Sequence, residues 1–324
     1  GLRLVGGTPS ELGMIRFDRD VLREGERPDI VVIEFAVNDE GDETKGVCYE
    51  SLVRKVLKLP WKPAVVLLFS VFANDWNLQE RLRPVGDLYD LPMVSIRDAV
   101  TPQFSLKCGE GRILSKNQFF YDIFHPNNTG HTIMADCLQY LFERCDAAEP
   151  ARVGTFVEGM TEEQILSEKL SGPAVIGADF ERIFLLDKKN RYVGAKIRTG
   201  SFTSTDIELQ SVEMDGSLTQ TPEFPYNWMY DGSRPQMAGF EMEIICKSLF
   251  LIFKDSGETD VGKANVFVND VYCMTADPHK NNWLHCNAVL LFWETESRSH
   301  KVRIAVTEED RNKKFTILGF GYTI

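Results

Sequence analysis

The sequence has no apolar run approaching the ~20 residues that cross a bilayer, and no signal-peptide pattern is legible in it. Positive charge is in deficit: 36 lysines and arginines face 48 acidic residues, for a formal net charge of −12. That sign argues against nucleic acid or an anionic membrane as partner. Seven cysteines, at 48, 108, 137, 145, 246, 273 and 286, include no Cys-x-x-Cys pair. An odd set without pairing reads as reduced thiols, which predicts a cytoplasmic protein. His-Glu-x-x-His, a P-loop and Gly-x-Gly-x-x-Gly are all missing, and Asp39, Asp75 and Asp98 lack ligand spacing. Neither a metal nor a nucleotide cofactor is therefore expected. No internal repeat and no low-complexity segment is found. What remains is ordinary globular composition, 43% hydrophobic and 26% charged, with 324 residues enough for two domains.

Two stretches stand out. Six of the seven residues from Ile30 to Ala36 are apolar and four of them are β-branched, the pattern of a parallel strand buried on both faces. The run stops on Asn38-Asp39, polar residues at the carboxyl end of the strand, where open α/β sheets bind ligands. Read alone, this is equally a buried strand followed by an Asx turn. The second stretch is Tyr121-Asp122-Ile123-Phe124-His125-Pro126-Asn127-Asn128-Thr129-Gly130-His131, a loop feeding a helix. A carboxylate at 122 can accept from one ring nitrogen of a histidine at 125, leaving the other nitrogen as a general base. The bland alternative is a structural loop histidine. His131 reads as a residue satisfying local backbone.

Asp-x-x-His-Pro-Asn, the following Gly-His and the strand ending in Asn-Asp together resemble the SGNH (GDSL-type) hydrolases over roughly residues 1–145. The resemblance implies a flavodoxin-like, three-layer α/β fold with a parallel sheet. It implies His125 as general base, Asp122 as its orienting carboxylate and Asn38 as an oxyanion donor, with Asp39 beside it touching substrate. It also implies a serine nucleophile in a Gly-Asp-Ser turn and a glycine amide in the oxyanion pocket. No Gly-Asp-Ser occurs among the 324 residues. Ser10 falls in the first turn of a helix, and Ser70 and Ser95 lie at strands without a sharp glycine turn, so none is assigned as nucleophile. Where relatives carry an Asn-x-Gly-x-x-Gly-like run, this sequence has Leu2-Arg3-Leu4-Val5-Gly6-Gly7-Thr8; the resemblance puts the oxyanion amide near Leu4, with Gly6 and Gly7 as further candidates. Strand 30–35 calls for a neighbour on both edges. The expectation is therefore that about 40–60 residues precede Gly1 and supply a strand and the serine turn.

In chain order, Thr8-Pro9-Ser10-Glu11 predicts a helix start with a capping box, and helices are expected near 45–58 and 129–144. Strands are expected at 29–36, 63–72 and 91–96. This alternation gives the first domain, 1–146. Residues 147–172 read as a polar linker with one short helix at Thr161–Leu170. From 173 to 324 the helical period fades and turn residues recur at Gly200, Asp215-Gly216, Asp231-Gly232, Ser256-Gly257 and Asn269-Asp270. Leu249–Phe253, Ala264-Val266-Val268, Val289-Leu291-Trp293 and Phe315–Tyr322 read as strands of an all-β, jelly-roll-like sandwich.

Two aromatic clusters in that half, around Trp228 and Trp283, set flat rings beside amide side chains and are candidate sugar contacts; core packing is the competing reading. An SGNH domain followed by a β-sandwich resembles bacterial carbohydrate esterases, especially acetyl-mannan esterases with a carbohydrate-binding second domain. The expected function is removal of O-acetyl groups from plant-type oligosaccharides by serine acyl transfer. The expected partner is an acetylated oligosaccharide, the sandwich completing the cleft within one chain or across a homodimer. The alternative is a non-catalytic carbohydrate-binding or scaffold protein on a degenerate hydrolase fold.

Overall fold

A computed structural model describes residues 3–4, 6–23, 25–147, 160–214, 221–233 and 238–324. The Asp215-Gly216 turn, Leu2 and Val5 of the glycine block, and 148–159 of the linker lie outside them. In chain order the elements are β1 (Arg3–Leu4), α1 (Ser10–Phe17), β2 (Ile30–Glu34), α2 (Val47–Leu57), β3 (Ala64–Phe69), α3 (Gln79–Tyr89), β4 (Met93–Ser95), α4 (Ile96–Phe104), α5 (Lys116–Phe119), α6 (Asn128–Ala147) and α7 (Glu162–Ser171). Then follow β5 (Phe184–Leu186), β6 (Ala195–Arg198), β7 (Ser211–Met214), β8 (Thr221–Pro222), β9 (Trp228–Tyr230), β10 (Phe240–Asp255), β11 (Ala264–Val268), β12 (Val271–Ala276), β13 (His285–Val306) and β14 (Phe315–Thr323). The chain separates into two compact units, Gly25–Glu181, and Gly1–Glu24 together with Arg182–Ile324.

The unit Gly25–Glu181 carries a parallel sheet in the order β2-β3-β4, with Val32 opposite Val66 and Leu68 opposite Val94. Its central strand reads Ala-Val-Val-Leu-Leu-Phe and is buried from Val65 to Phe69, as a strand covered on both faces should be. Val66, Leu68, Val94, Ile96, Val100 and Phe119 form a core against which Ile133, Met134, Cys137, Leu138 and Leu141 of α6 pack. These positions recur with the helical period, and Cys137 sits among them. β2 departs from expectation. It lies at the edge of this sheet, and Ile30 and Val32 are 48% and 43% exposed rather than buried on both faces. The apolar run of β2 records side-chain type only; Ile30 and Val32 share one face of the strand, and that face is left open.

The linker helix forms as α7, with Thr161 accepting from the Gln164 amide and Gln164 reaching back to the Thr161 amide. It belongs to this unit, which runs past the expected boundary at 146 as far as Glu181. The reason is buried charge. Glu50 on α2 is fully buried and accepts from the amides of Val175, Ile176 and Gly177 at 3.0, 2.5 and 2.9 Å and from the Tyr89 hydroxyl at 2.8 Å. A carboxylate removed from water needs such donors, and residues 175–177 supply them.

The other unit is built on an antiparallel eight-stranded sheet with the path β12-β11-β13-β10-β14-β5, to which β6 adds on β10 and β9 on β14. The long strands β10 and β13 pair along most of their length, with register shifts between Cys246 and Ser248 and between Leu249 and Phe250. Leu249–Phe253 and the whole of Phe315–Tyr322 are buried, as their apolar runs predict. β11 and β12 are joined at Asn269-Asp270, both left-handed with φ 53° and 63°, the backbone of a two-residue hairpin turn.

The first residues of the chain group with this β unit rather than with the parallel sheet. β1 pairs antiparallel with β7. Leu12, Met14, Ile15 and Phe17 of α1 are buried, and a Cβ at Gly321 of β14 would stand 2.5 Å from Ile15 Cδ1. Only glycine lets the helix come so close. Arg16 pairs with Asp20 at 2.6 Å, Arg19 pairs with Glu223, and the Arg19 guanidinium lies 4.7 Å over the Phe224 ring. The helix starts one residue later than the expected cap, with Pro9 at the N-cap position.

Candidate active site

Three connections at the carboxyl edge of the parallel sheet are bonded to one another. After β2 the chain turns at once: the amides of Asn38 and Asp39 donate to the Phe35 carbonyl at 3.1 and 3.0 Å. After β3, the segment from Ser70 to Leu78 joins this turn through the Leu78 amide and the Ala36 carbonyl, 2.8 Å apart. The same segment joins the third connection through the Ala73 amide and the Ile123 carbonyl, 3.0 Å apart. Asn38 and the Asp122–His125 loop thus belong to one hydrogen-bonded set at the edge where α/β sheets hold ligands.

The third connection is a tight loop. The Phe119 carbonyl accepts the Asn127 amide at 2.8 Å, and the Tyr121 amide donates to the His125 carbonyl at 3.1 Å. Asn127 Oδ1 accepts the Gly130 amide at 3.0 Å and starts α6. Gly130 is needed there, because a Cβ would meet the Phe119 carbonyl oxygen at 2.3 Å. Inside the loop Asp122 Oδ1 accepts the amides of Phe124 and His125, both at 2.7 Å, and the carboxylate meets His125 Nδ1 at 2.9 Å through Oδ2 and 3.1 Å through Oδ1. The bond from the His125 ring, with the two amides, holds the Asp122 carboxyl below the usual carboxylate range. An ionised Asp122 makes Nδ1 the donor and leaves Nε2 with a lone pair. The His125 side chain is 60% exposed, and no described residue bonds Nε2 in the hydrogen bonds of this loop. Tyr121 stacks on the imidazole with centroids 5.5 Å apart and planes 11° apart.

Glu34, the last residue of β2, was not singled out by sequence reading. Its Oε1 accepts the amides of Ala36 at 3.0 Å and Ser70 at 3.3 Å, tying the ends of β2 and β3 together. Burial pushes its pKa up to about 7 against these hydrogen bonds. A lone glutamate in an apolar run was the available signal. Asp39 corrects its expected role: it is fully buried, so its carboxylate is in no position to touch a sugar directly. The carboxyl groups of Asp39 and Glu34 and, above all, burial keep the Tyr49 phenol well above its ordinary pKa.

The remaining candidates lie in the β unit. Gly6 accepts from Gln210 Nε2 at 3.1 Å, and Gly7 is left-handed with φ 66° under the Trp283 indole. Trp283 is 45% exposed and sits 4.5 Å from His285, whose pKa burial lowers to about 4. Trp228 is corrected: its ring is buried between Phe240 and Phe320, at 5.3 and 6.2 Å, and works as core. Among the described residues no cluster of three His, Cys, Asp or Glu is arranged to hold a metal, and no helix is long and apolar enough to cross a membrane.

No protein-family model and no curated protein matches the chain. Solved structures do. A two-domain esterase active on acetylated mannans matches with a TM-score of 0.73 at 21% identity, over 98% of this chain and 78% of that one. A two-domain esterase of the same description, co-crystallised with mannopentaose, matches with a TM-score of 0.71 at 22% identity and the same coverage. The chain therefore has the two-domain fold of these esterases, and the reading of an SGNH-type unit joined to a β-sandwich fits it.

Proposed function

We propose that the protein is a carbohydrate esterase that removes O-acetyl groups from plant-type oligosaccharides, manno-oligosaccharides foremost, by serine acyl transfer. The observation that carries the reading is the Asp122–His125 contact at 2.9 Å through Nδ1, on an imidazole whose side chain is 60% exposed. The fold shared with an esterase active on acetylated mannans supports it. In this reading His125 Nε2 takes the proton of a serine hydroxyl as its oxygen attacks the acetyl carbonyl, and Asp122 stabilises the imidazolium. Asn38 donates its amide N–H to the developing oxyanion, an interaction that contributes about 3 kcal/mol where it has been removed in other hydrolases. The imidazolium then protonates the departing sugar oxygen, and water, activated by the same histidine, releases acetate from the acyl-serine.

The serine is assigned to none of three residues weighed from sequence. Ser10 is buried in the first turn of α1, and Ser95 is the N-cap of α4, its oxygen accepting the Asp98 amide at 3.0 Å. Ser70 donates its amide to Glu34 Oε1, and its carbonyl accepts from Asn77 Nδ2.

The protein should release acetate from acetylated manno-oligosaccharides, and His125→Ala should slow this ~10³-fold or more. An unchanged rate in the variant refutes the assignment. The absence of Gly-Asp-Ser motivates a second reading, a carbohydrate-binding scaffold, which sugar binding without acetate release would favour.

A further inference from the structure

Beside the Asp122–His125 pair runs a row of aromatic rings that acid–base chemistry leaves unused. Trp76 stacks on Phe72 with centroids 5.6 Å apart and planes 18° apart, and Phe72 meets Phe124 edge-on at 5.3 Å. The Phe124 ring in turn lies 6.2 Å from the His125 imidazole. The row is rigid. The Phe72 amide donates to the Trp76 carbonyl at 3.1 Å and the Asp75 amide to the Phe72 carbonyl at 2.9 Å, closing a turn around a left-handed Asp75. Lys116 clamps this turn from α5, donating to the Ala73 carbonyl at 2.6 Å and pairing with Asp75 at 2.9 Å.

Phe124 is 51% exposed, and Phe72 and Trp76 behind it are half-buried, each keeping part of its ring at the surface. The stacking of Phe72 and Trp76 contributes to folding, but the half-exposed Phe124 ring at the end of the row, beside His125, extends the apolar surface into water, where such surface marks a contact with a ligand or partner. The rim is polar, with Asn74, Asp75 and Lys116 all at the surface. A flat apolar face with hydrogen-bonding groups at its edge complements a pyranose, whose C–H face is apolar and whose hydroxyls project sideways. A long acyl chain would call for an enclosed apolar channel instead.

We infer that Phe72, Trp76 and Phe124 form a sugar-stacking platform beside His125 that takes the pyranose ring bearing the ester. The platform rests on the esterase reading for the reason the sugar is there, but its occupancy is measurable without any reaction. The probe is mannopentaose titrated into the full chain, with heat or tryptophan fluorescence as readout. Trp76→Ala should weaken binding about tenfold and Trp76→Phe by no more than about threefold. Phe124→Ala, at an exposed ring that leaves no cavity, should weaken binding severalfold and guards against misfolding of the first variant. Undiminished affinity in both alanine variants overturns the platform, as does a wild-type chain that binds no mannopentaose at millimolar concentration. Acetate release in His125→Ala reports on the esterase reading separately, so either inference can fail alone.

Discussion

Replacing Glu34 by glutamine should stabilise the protein above pH 7 and leave it unchanged near pH 4. Glu34 closes β2 and holds the Ala36 and Ser70 amides through one oxygen, at 3.0 and 3.3 Å. Its pKa is raised from an ordinary 4.5 to about 7, chiefly by burial. The unfolded chain thus releases this proton near pH 4.5 and the folded protein only near 7. Between those values the folded state binds more protons than the unfolded state, so stability falls as pH rises, and the loss is complete above the folded pKa. The separation of the two pKa values, at about 1.4 kcal/mol per pH unit, sets the loss at about 3 kcal/mol. Glutamine keeps an oxygen for both amides and never ionises. Urea unfolding of both proteins at pH 4, 6 and 8 should show the variant's advantage growing from near zero toward about 3 kcal/mol. A difference that does not change with pH, or a variant less stable at pH 8, refutes the reasoning.

Other perturbations address the scaffold around the site. Glu50→Ala removes the acceptor for three buried amides and the Tyr89 hydroxyl, and should cost about 3–5 kcal/mol in urea unfolding; a loss under about 1 kcal/mol would mean that water replaces the carboxylate. For the same reason a fragment spanning Gly25–Glu181 should unfold cooperatively where a fragment ending at 146 does not, as circular dichroism melts would show. Gly130→Ala forces a methyl group onto the Phe119 carbonyl and should lower stability by about 2 kcal/mol while displacing the His125 loop. A melting temperature equal to wild type would show that the loop yields freely.

The fold was legible where side-chain pattern alone decides it. The run Ala64–Phe69 is apolar and lies buried in mid-sheet, the face of α6 repeats with the helical period, and Asn269-Asp270 supplies the left-handed pair its hairpin turn needs. The pattern is silent about what covers each face of a strand, so β2 reads as buried on both faces although Ile30 and Val32, on one face, are half exposed. Membership of a unit was equally hidden. It depends on contacts across the chain: the Glu50 carboxylate with residues 175–177, and Ile15 against Gly321. The expected boundary at 146 marks the end of α6, which is a different event from the end of a packed unit.

The same division runs through the candidate site. Asp122 and His125 could be paired from sequence because three residues of loop bring carboxylate and imidazole together with no help from elsewhere, and Asp122 itself orders that loop by taking the Phe124 and His125 amides. Aromatic residues offered no such local rule. Trp228 and Trp283 sit in similar company of amides and rings, yet Trp228 alternates inward on a short strand against Phe240, while Trp283 lies in a loop over Gly7. Burial of a tryptophan is set by the strand that pairs beside it, here β14 against β9, more than by its neighbours in sequence. Phe72 and Trp76 were passed over for the converse reason. They follow a strand and look like its fraying end until the Ala73–Ile123 bond joins their turn to the Asp122–His125 loop and sets Phe72 against Phe124. A residue that acts through its place beside a distant loop leaves no spacing to find. The chemistry of a site is therefore read first from its local pairs, and its specificity only from the fold that surrounds them.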